Sequence, residues 1–95
     1  MALRKFIIER DIPAVGTLAR EELRAAAAKS NDVLRTLSPK VQWVQSYVTA
    51  DKLFCIYLAD SPAVIQEHAR LSGFPAHRVT EIGKVIDPST ANGAA

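Results

Sequence analysis

An α+β fold, with one antiparallel sheet and two helices on a single face, is predicted by three observations. Four short stretches alternate apolar and polar residues with period two, two longer stretches carry helical periodicity, and turn chemistry separates the elements. The chain has 95 residues, one domain near the lower limit for a self-sufficient core.

Each element has its own warrant. LRKFIIER, residues 3 to 10, reads as a strand with Phe6 and Ile8 on one side and Lys5, Ile7 and Glu9 on the other. DIPAVGT follows as a turn, with Thr17 as helix cap and Glu21 and Glu22 placed where the helix dipole favours carboxylates. From Leu18 to Leu37 the positions Leu23, Ala26, Ala27, Ser30, Val33, Leu34 and Leu37 form one stripe, rich in alanine so that the helix can lie close on a sheet. Ser38-Pro39 stops it. VQWVQSYV and LFCIYL, joined by a short polar link, read as a hairpin. Ser61 and Pro62 then begin a second helix, and Gly73 ends it. RVTEIGKVI is the last strand. Residues 1–87 are expected to form one domain and residues 88–95 a flexible C-terminal tail. The order strand, helix, strand, strand, helix, strand is that of a ferredoxin-like βαββαβ sandwich, of the kind that builds dimeric α+β barrels.

Composition removes several functions. Hydrophobic residues at 48% and charged residues at 23% are ordinary for a globular domain. Twelve Lys and Arg against ten Asp and Glu give a net charge of +2, scattered rather than gathered into a phosphate-neutralising stripe, so no nucleic-acid partner is expected. The N-terminal MALRKFIIERD is too charged and its apolar run too short for a signal peptide or membrane span. The single cysteine, Cys55, forms no internal disulfide. A cytoplasmic protein without a membrane partner is expected. No phosphate loop, dinucleotide fingerprint or serine elbow is present.

Strand alternation sorts the sheet residues into two sets. Phe6, Ile8, Val44, Val48, Phe54, Ile56, Leu58, Ile82 and Ile86 are uniformly apolar, the expected floor beneath the helices. Lys5, Ile7, Glu9, Trp43, Gln45, Tyr47, Leu53, Cys55, Tyr57 and Glu81 form a mixed set expected on the helix-free face, too rich in large rings to face water alone. A second copy of the chain, a ligand, or both would cover it. Glu9, Trp43, Tyr47, Cys55, Tyr57 and Glu81 are the candidate ligand pocket. Glu9 reads as a metal ligand, a base, or the ion-pair partner of Lys5 or Arg78. Cys55 reads as a core residue or a nucleophile. His68 shares a helical side with Val64, Ile65 and Leu71, and reads as a satisfied core histidine or as the arm of a site. His77 sits in a loop beside Arg78.

Glu9-Arg10, Trp43-Val44-Gln45-Ser46-Tyr47-Val48, Asp51-Lys52 with Phe54-Cys55-Ile56-Tyr57, Glu67-His68-Ala69 and Gly73-Phe74-Pro75-Ala76 together resemble the DUF4242 family, small bacterial proteins also described as nickel-binding or nickel-responsive. The resemblance spans most of residues 5 to 87. It implies a ferredoxin-like fold, a homodimer and a bound divalent nickel ion. His68, Glu9 and Glu81 are chemically suited to that ion, since nickel accepts imidazole and carboxylate. The first functional expectation is therefore a non-enzymatic binding protein for a divalent metal or small ligand. An alternative is a cofactor-independent enzyme with Glu9 or His68 as base and Tyr47 or Tyr57 as proton donor, which makes Glu9, His68 and Tyr57 the catalytic candidates. A third is a structural module that only dimerises.

Overall fold

The computed structural model describes residues 2–93; residue 1 and the end of the expected tail, residues 94 and 95, lie outside them. The elements are β1 (Arg4–Asp11), α1 (Arg20–Leu37), β2 (Val41–Val48), β3 (Lys52–Ala59), α2 (Pro62–Ser72) and β4 (Arg78–Glu81), with 3-10 helices at Val15–Thr17 and Pro88–Asn92. The strands form one antiparallel sheet in the order β2-β3-β1-β4. This is the expected ferredoxin-like arrangement, with the helices against one face. No helix among the described residues is long and apolar enough to cross a membrane.

Local chemistry explains the boundaries. The helix α1 starts two residues later than expected because Thr17 turns its hydroxyl back to the Ala14 carbonyl at 2.7 Å. The Glu22 carboxylate instead accepts the Ala19 N–H at 3.0 Å, satisfying one of the donors that a helix start leaves orphaned. In the hairpin, Thr49 closes the turn by accepting the Lys52 N–H on its hydroxyl at 3.1 Å. Pro62 opens α2, and Gly73 ends it with φ of 80°, donating to the Ala69 carbonyl at 2.9 Å. Asp87 caps the C-terminal 3-10 helix by accepting the Ser89 N–H at 2.9 Å, local order in a stretch whose sequence has no periodic pattern.

Register corrects the expected faces. Phe6 stands opposite Tyr57, and Ile8 opposite Cys55. Directly paired residues of an antiparallel ladder project to the same side, so Cys55 and Tyr57 lie under the helices with Phe6 and Ile8, none of the four more than 3% exposed. Phe54, Ile56 and Leu58, expected there, turn to the open face with Ile7 and Glu9. In β2 the ladder skips Val44 between Trp43 and Gln45. This bulge reverses the parity within the strand: Trp43, opposite Tyr57, faces the helices, while Tyr47, opposite Phe54, faces outward.

The last strand is also shorter than predicted. After Glu81 the Ile82 N–H still reaches the Lys5 carbonyl at 2.8 Å, but beyond it pairing ceases, and Val85 and Ile86 are exposed. Ile86 therefore belongs to no floor. The core is Phe6, Ile8, Val41, Cys55, Tyr57 and Ala59 from the sheet with Val64 and Ile65 from α2. From α1 only Ser30 is fully buried.

Candidate functional site

The weak burial of α1 has a structural counterpart. The N-terminal half of the helix forms the wall of a cavity of about 530 Å³, whose other sides are the sheet, the β1–α1 connection and the Gly73-Phe74-Pro75 turn. Ala26 and Ala27, expected to bring α1 down onto the strands, line this space with Leu23, and their small side chains leave it unfilled. Val15 and Leu18 from the β1–α1 connection, Phe74 and Pro75 from the turn after α2, and Trp43, Val48 and Leu53 from the sheet complete the lining. The volume falls within the range typical of pockets for a single small molecule.

The polar groups of this cavity gather beneath α1. Arg10 follows Phe6 and Ile8 on the helix-facing side of β1, and its side chain is almost fully buried, at 2% exposure. Its Nη1 donates to the carbonyls of Phe74 at 2.8 Å and Pro75 at 3.0 Å. Its Nη2 donates to the Tyr57 hydroxyl at 3.4 Å, and the guanidinium carbon stands 5.9 Å from the centre of that ring. Arg10 is not among the site residues expected from the sequence. The signal was available: the β1 alternation that places Phe6 and Ile8 inward places residue 10 inward as well, and a cation there is an anomaly.

Behind Tyr57 lies His68. The two ring centres are 5.4 Å apart. The His68 Nε2 shares a hydrogen bond with the Ser30 hydroxyl at 3.1 Å, which ties α2 to α1. Its Nδ1 is buried without a hydrogen-bond partner among the described residues. Burial, with the nearby Arg10 charge acting in the same sense, lowers the His68 pKa to about 4, so the imidazole is neutral at pH 7. Burial also raises the Tyr57 pKa, against the opposing pull of Arg10. The phenol therefore remains protonated. Cys55 lines the same cavity as a buried free thiol.

The residues expected to make one pocket are thus divided. Trp43, Cys55 and Tyr57 belong to the cavity under α1. Glu9 and Tyr47 lie on the opposite face, where Glu9 meets Lys52 at 3.5 Å and Arg78 at 3.7 Å, and Tyr47 accepts a hydrogen bond from Gln45. Glu81 pairs with Arg4 at 2.8 Å near the end of β4. His77 accepts the Asp11 N–H on its Nδ1 at 3.0 Å, bracing the start of β4 against the end of β1.

These features define a class: a small ferredoxin-like domain with a largely apolar, partly open pocket between helix and sheet and a buried cation bordering it. A profile of the family described as nickel responsive protein, SCO4226-like, matches residues 6–82. The chain belongs to that family. Among solved structures it is similar to that of SCO4226 from Streptomyces coelicolor A3(2), with a TM-score of 0.73 at 14% identity, covering 86% of this chain and 99% of that one. At that identity the likeness shows the fold alone. No match was found among curated proteins.

The family description raises the question of nickel. Among the described residues no group of three or more His, Cys, Asp or Glu is placed to hold a metal ion. His68 lies under the helices bonded to Ser30, while the Glu9 and Glu81 carboxylates are each engaged by arginine or lysine elsewhere on the sheet. The proposed trio does not converge within one chain, and the residues present do not fit a resident nickel ion.

Proposed function

We propose that this member of the nickel-responsive family is a small-molecule binding protein that works as a homodimer, each copy holding its ligand in the cavity under α1. The observation that carries the reading is the composition of that cavity: a predominantly apolar, partly open cleft with a few polar groups, led by Arg10 and Tyr57. Such a combination of apolar surface for affinity and sparse polar groups for orientation is how small-ligand sites are built. Protonated Tyr57 lines the cavity as a neutral hydrogen-bonding group, and neutral His68 stands behind it, bonded to Ser30. Of the residues named for the enzymatic alternative, Glu9 and Tyr47 face the other side of the sheet, while His68 and Tyr57 lie buried together under the helices.

The dimer follows from the open face. Ile7 pairs directly with Ile56 across β1 and β3, flanked along β3 by Phe54 and Leu58, and Tyr47 stands opposite Phe54. An apolar strip of this kind on the uncovered side of an antiparallel sheet matches a second copy of the same surface. The reducing, cytoplasmic setting inferred from the lone cysteine belongs to the same proposal.

The test uses Trp43, the only tryptophan, which lines the cavity. Titration with N-phenyl-1-naphthylamine, a neutral apolar dye, is expected to give saturable energy transfer from Trp43, and Ala27→Leu, which projects extra volume into the cavity, to abolish it. Saturable binding that Ala27→Leu leaves unchanged would place the dye elsewhere and defeat the reading.

A further inference from the structure

Arg10 poses a problem that the fold alone does not solve. A guanidinium is always charged at accessible pH, and taking it out of water is costly unless an opposite charge compensates it. Here the side chain is 2% exposed, yet no carboxylate lies within ion-pairing distance of it among the described residues; its partners are two backbone carbonyls and one phenol. Of its five N–H donors, those three bonds leave Nε and one hydrogen of Nη2 without a partner among the described residues. The group borders the cavity.

The other charged residue on the cavity's edge is Asp11, and it does not neutralise Arg10. Its side chain is about half exposed, and its carboxylate is directed to Lys52 at 3.5 Å. Successive strand residues project to opposite faces, so Asp11 leaves the helix-facing side on which Arg10 lies. The remaining polar side chains of the lining, Ser30, Trp43, Ser46, Cys55 and Tyr57, include neither a carboxylate nor a second cation. The cavity thus has an apolar body and one positive pole.

From this arrangement we infer that the ligand is a small amphipathic carboxylate, its hydrocarbon part against Leu23, Ala26, Ala27 and Leu53 and its carboxylate on Arg10. This deepens the binding proposal and rests on it. A carboxylate accepts guanidinium N–H bonds side by side and brings the missing negative charge. The Tyr57 hydroxyl, held by Arg10, adds a neutral donor that an anion can use. A cation of the same shape would meet the guanidinium and be rejected, and a neutral molecule would gain only the apolar contacts.

Three probes of matched chain length separate the possibilities: decanoate, decanol and decylammonium, each titrated against the native protein by calorimetry and by Trp43 emission. Decanoate is expected to bind about 10- to 100-fold more tightly than decanol, the range that a charge-assisted hydrogen bond contributes, and decylammonium more weakly than either. In Arg10→Gln, checked for folding by circular dichroism, the preference for decanoate over decanol is expected to vanish. Equal binding of decanoate and decanol to the native protein, or binding of decylammonium as tight as decanoate, would overturn the carboxylate inference while leaving the cavity reading intact. Failure of all three probes to bind would overturn both. A preference that persists in folded Arg10→Gln would remove Arg10 from the site. Should that variant not fold, the native ratio decides, with Ala27→Leu showing whether the cavity is the place of binding.

Discussion

His68 shows how one buried side chain ties stability to pH. Its folded pKa is lowered to about 4 by burial, with Arg10 acting in the same sense, whereas the unfolded histidine titrates near 6.5. The unfolded state therefore binds the extra proton first. The stability contributed by neutral His68 is complete above about pH 6.5 and is lost progressively as pH falls toward about 4. The shift corresponds to roughly 3 kcal/mol at about 1.4 kcal/mol per pKa unit. Urea unfolding of the native protein and of His68→Gln at pH 7.5 and pH 4.5 measures it: the native protein is expected to lose more stability by about that amount between the two conditions, because glutamine does not titrate. A parallel loss in both proteins would show that the imidazole is not the acid-sensitive group. The same site holds the residue whose role was hardest to see in advance, since Arg10 reads as an ordinary strand-end cation until the burial of its neighbours is followed one step further.

At the level of elements, two contacts decide how α1 is held. The connection from β1 passes so near the β2–β3 turn that Gly16 donates to the Ala50 carbonyl at 2.9 Å. A Cβ there would stand 2.6 Å from the Thr49 carbonyl oxygen and 2.8 Å from the Ala50 Cα, both backbone atoms with little freedom to yield. Gly16→Ala is expected to cost about 1–3 kcal/mol, as overpacking does, read as a lowered urea midpoint; an unchanged midpoint would mean that the connection is free to move. Along α1 the opposite holds. Ala27 borders unfilled space, and Ala27→Leu is expected to raise stability by about 1 kcal/mol, the usual gain from filling a cavity, while blocking the dye. A stabilised variant that no longer binds would show that the open space is kept at a cost in stability.

For the molecule as a whole, the central prediction concerns association. Ile56 sits in the middle of the open apolar strip, paired with Ile7 and with Gln45. Ile56→Lys places a charge at the centre of the proposed self-complementary surface, where burial without a partner is costly. Sedimentation is expected to show a dimer for the native protein and a monomer for Ile56→Lys, with the dye still bound in the cavity on the other side of the sheet. A native monomer would remove the dimer proposal outright. Nickel enters at this scale too, because the ligand types available to it are dispersed over both faces of one chain.

The sequence by itself determined the number and order of the strands and α-helices, because alternation, helical periodicity, Pro39, Pro62 and Gly73 are local signals that act within a few residues. It also determined which side chains of a strand share a side, where the strand is regular. Only the tertiary structure decided which side was which. Parity within β3 does not reveal whether Tyr57 or Ile56 lies beneath the helices; pairing with Phe6 and Ile7 settles that, and a shift of one residue would exchange the two sets. The bulge at Val44 parted Trp43 from Tyr47 by the same physics, one extra residue reversing everything beyond it. The pocket moved from the bare face to the space under α1 because a cavity is set by how closely distant elements approach, and two alanines can as readily leave a gap as close one.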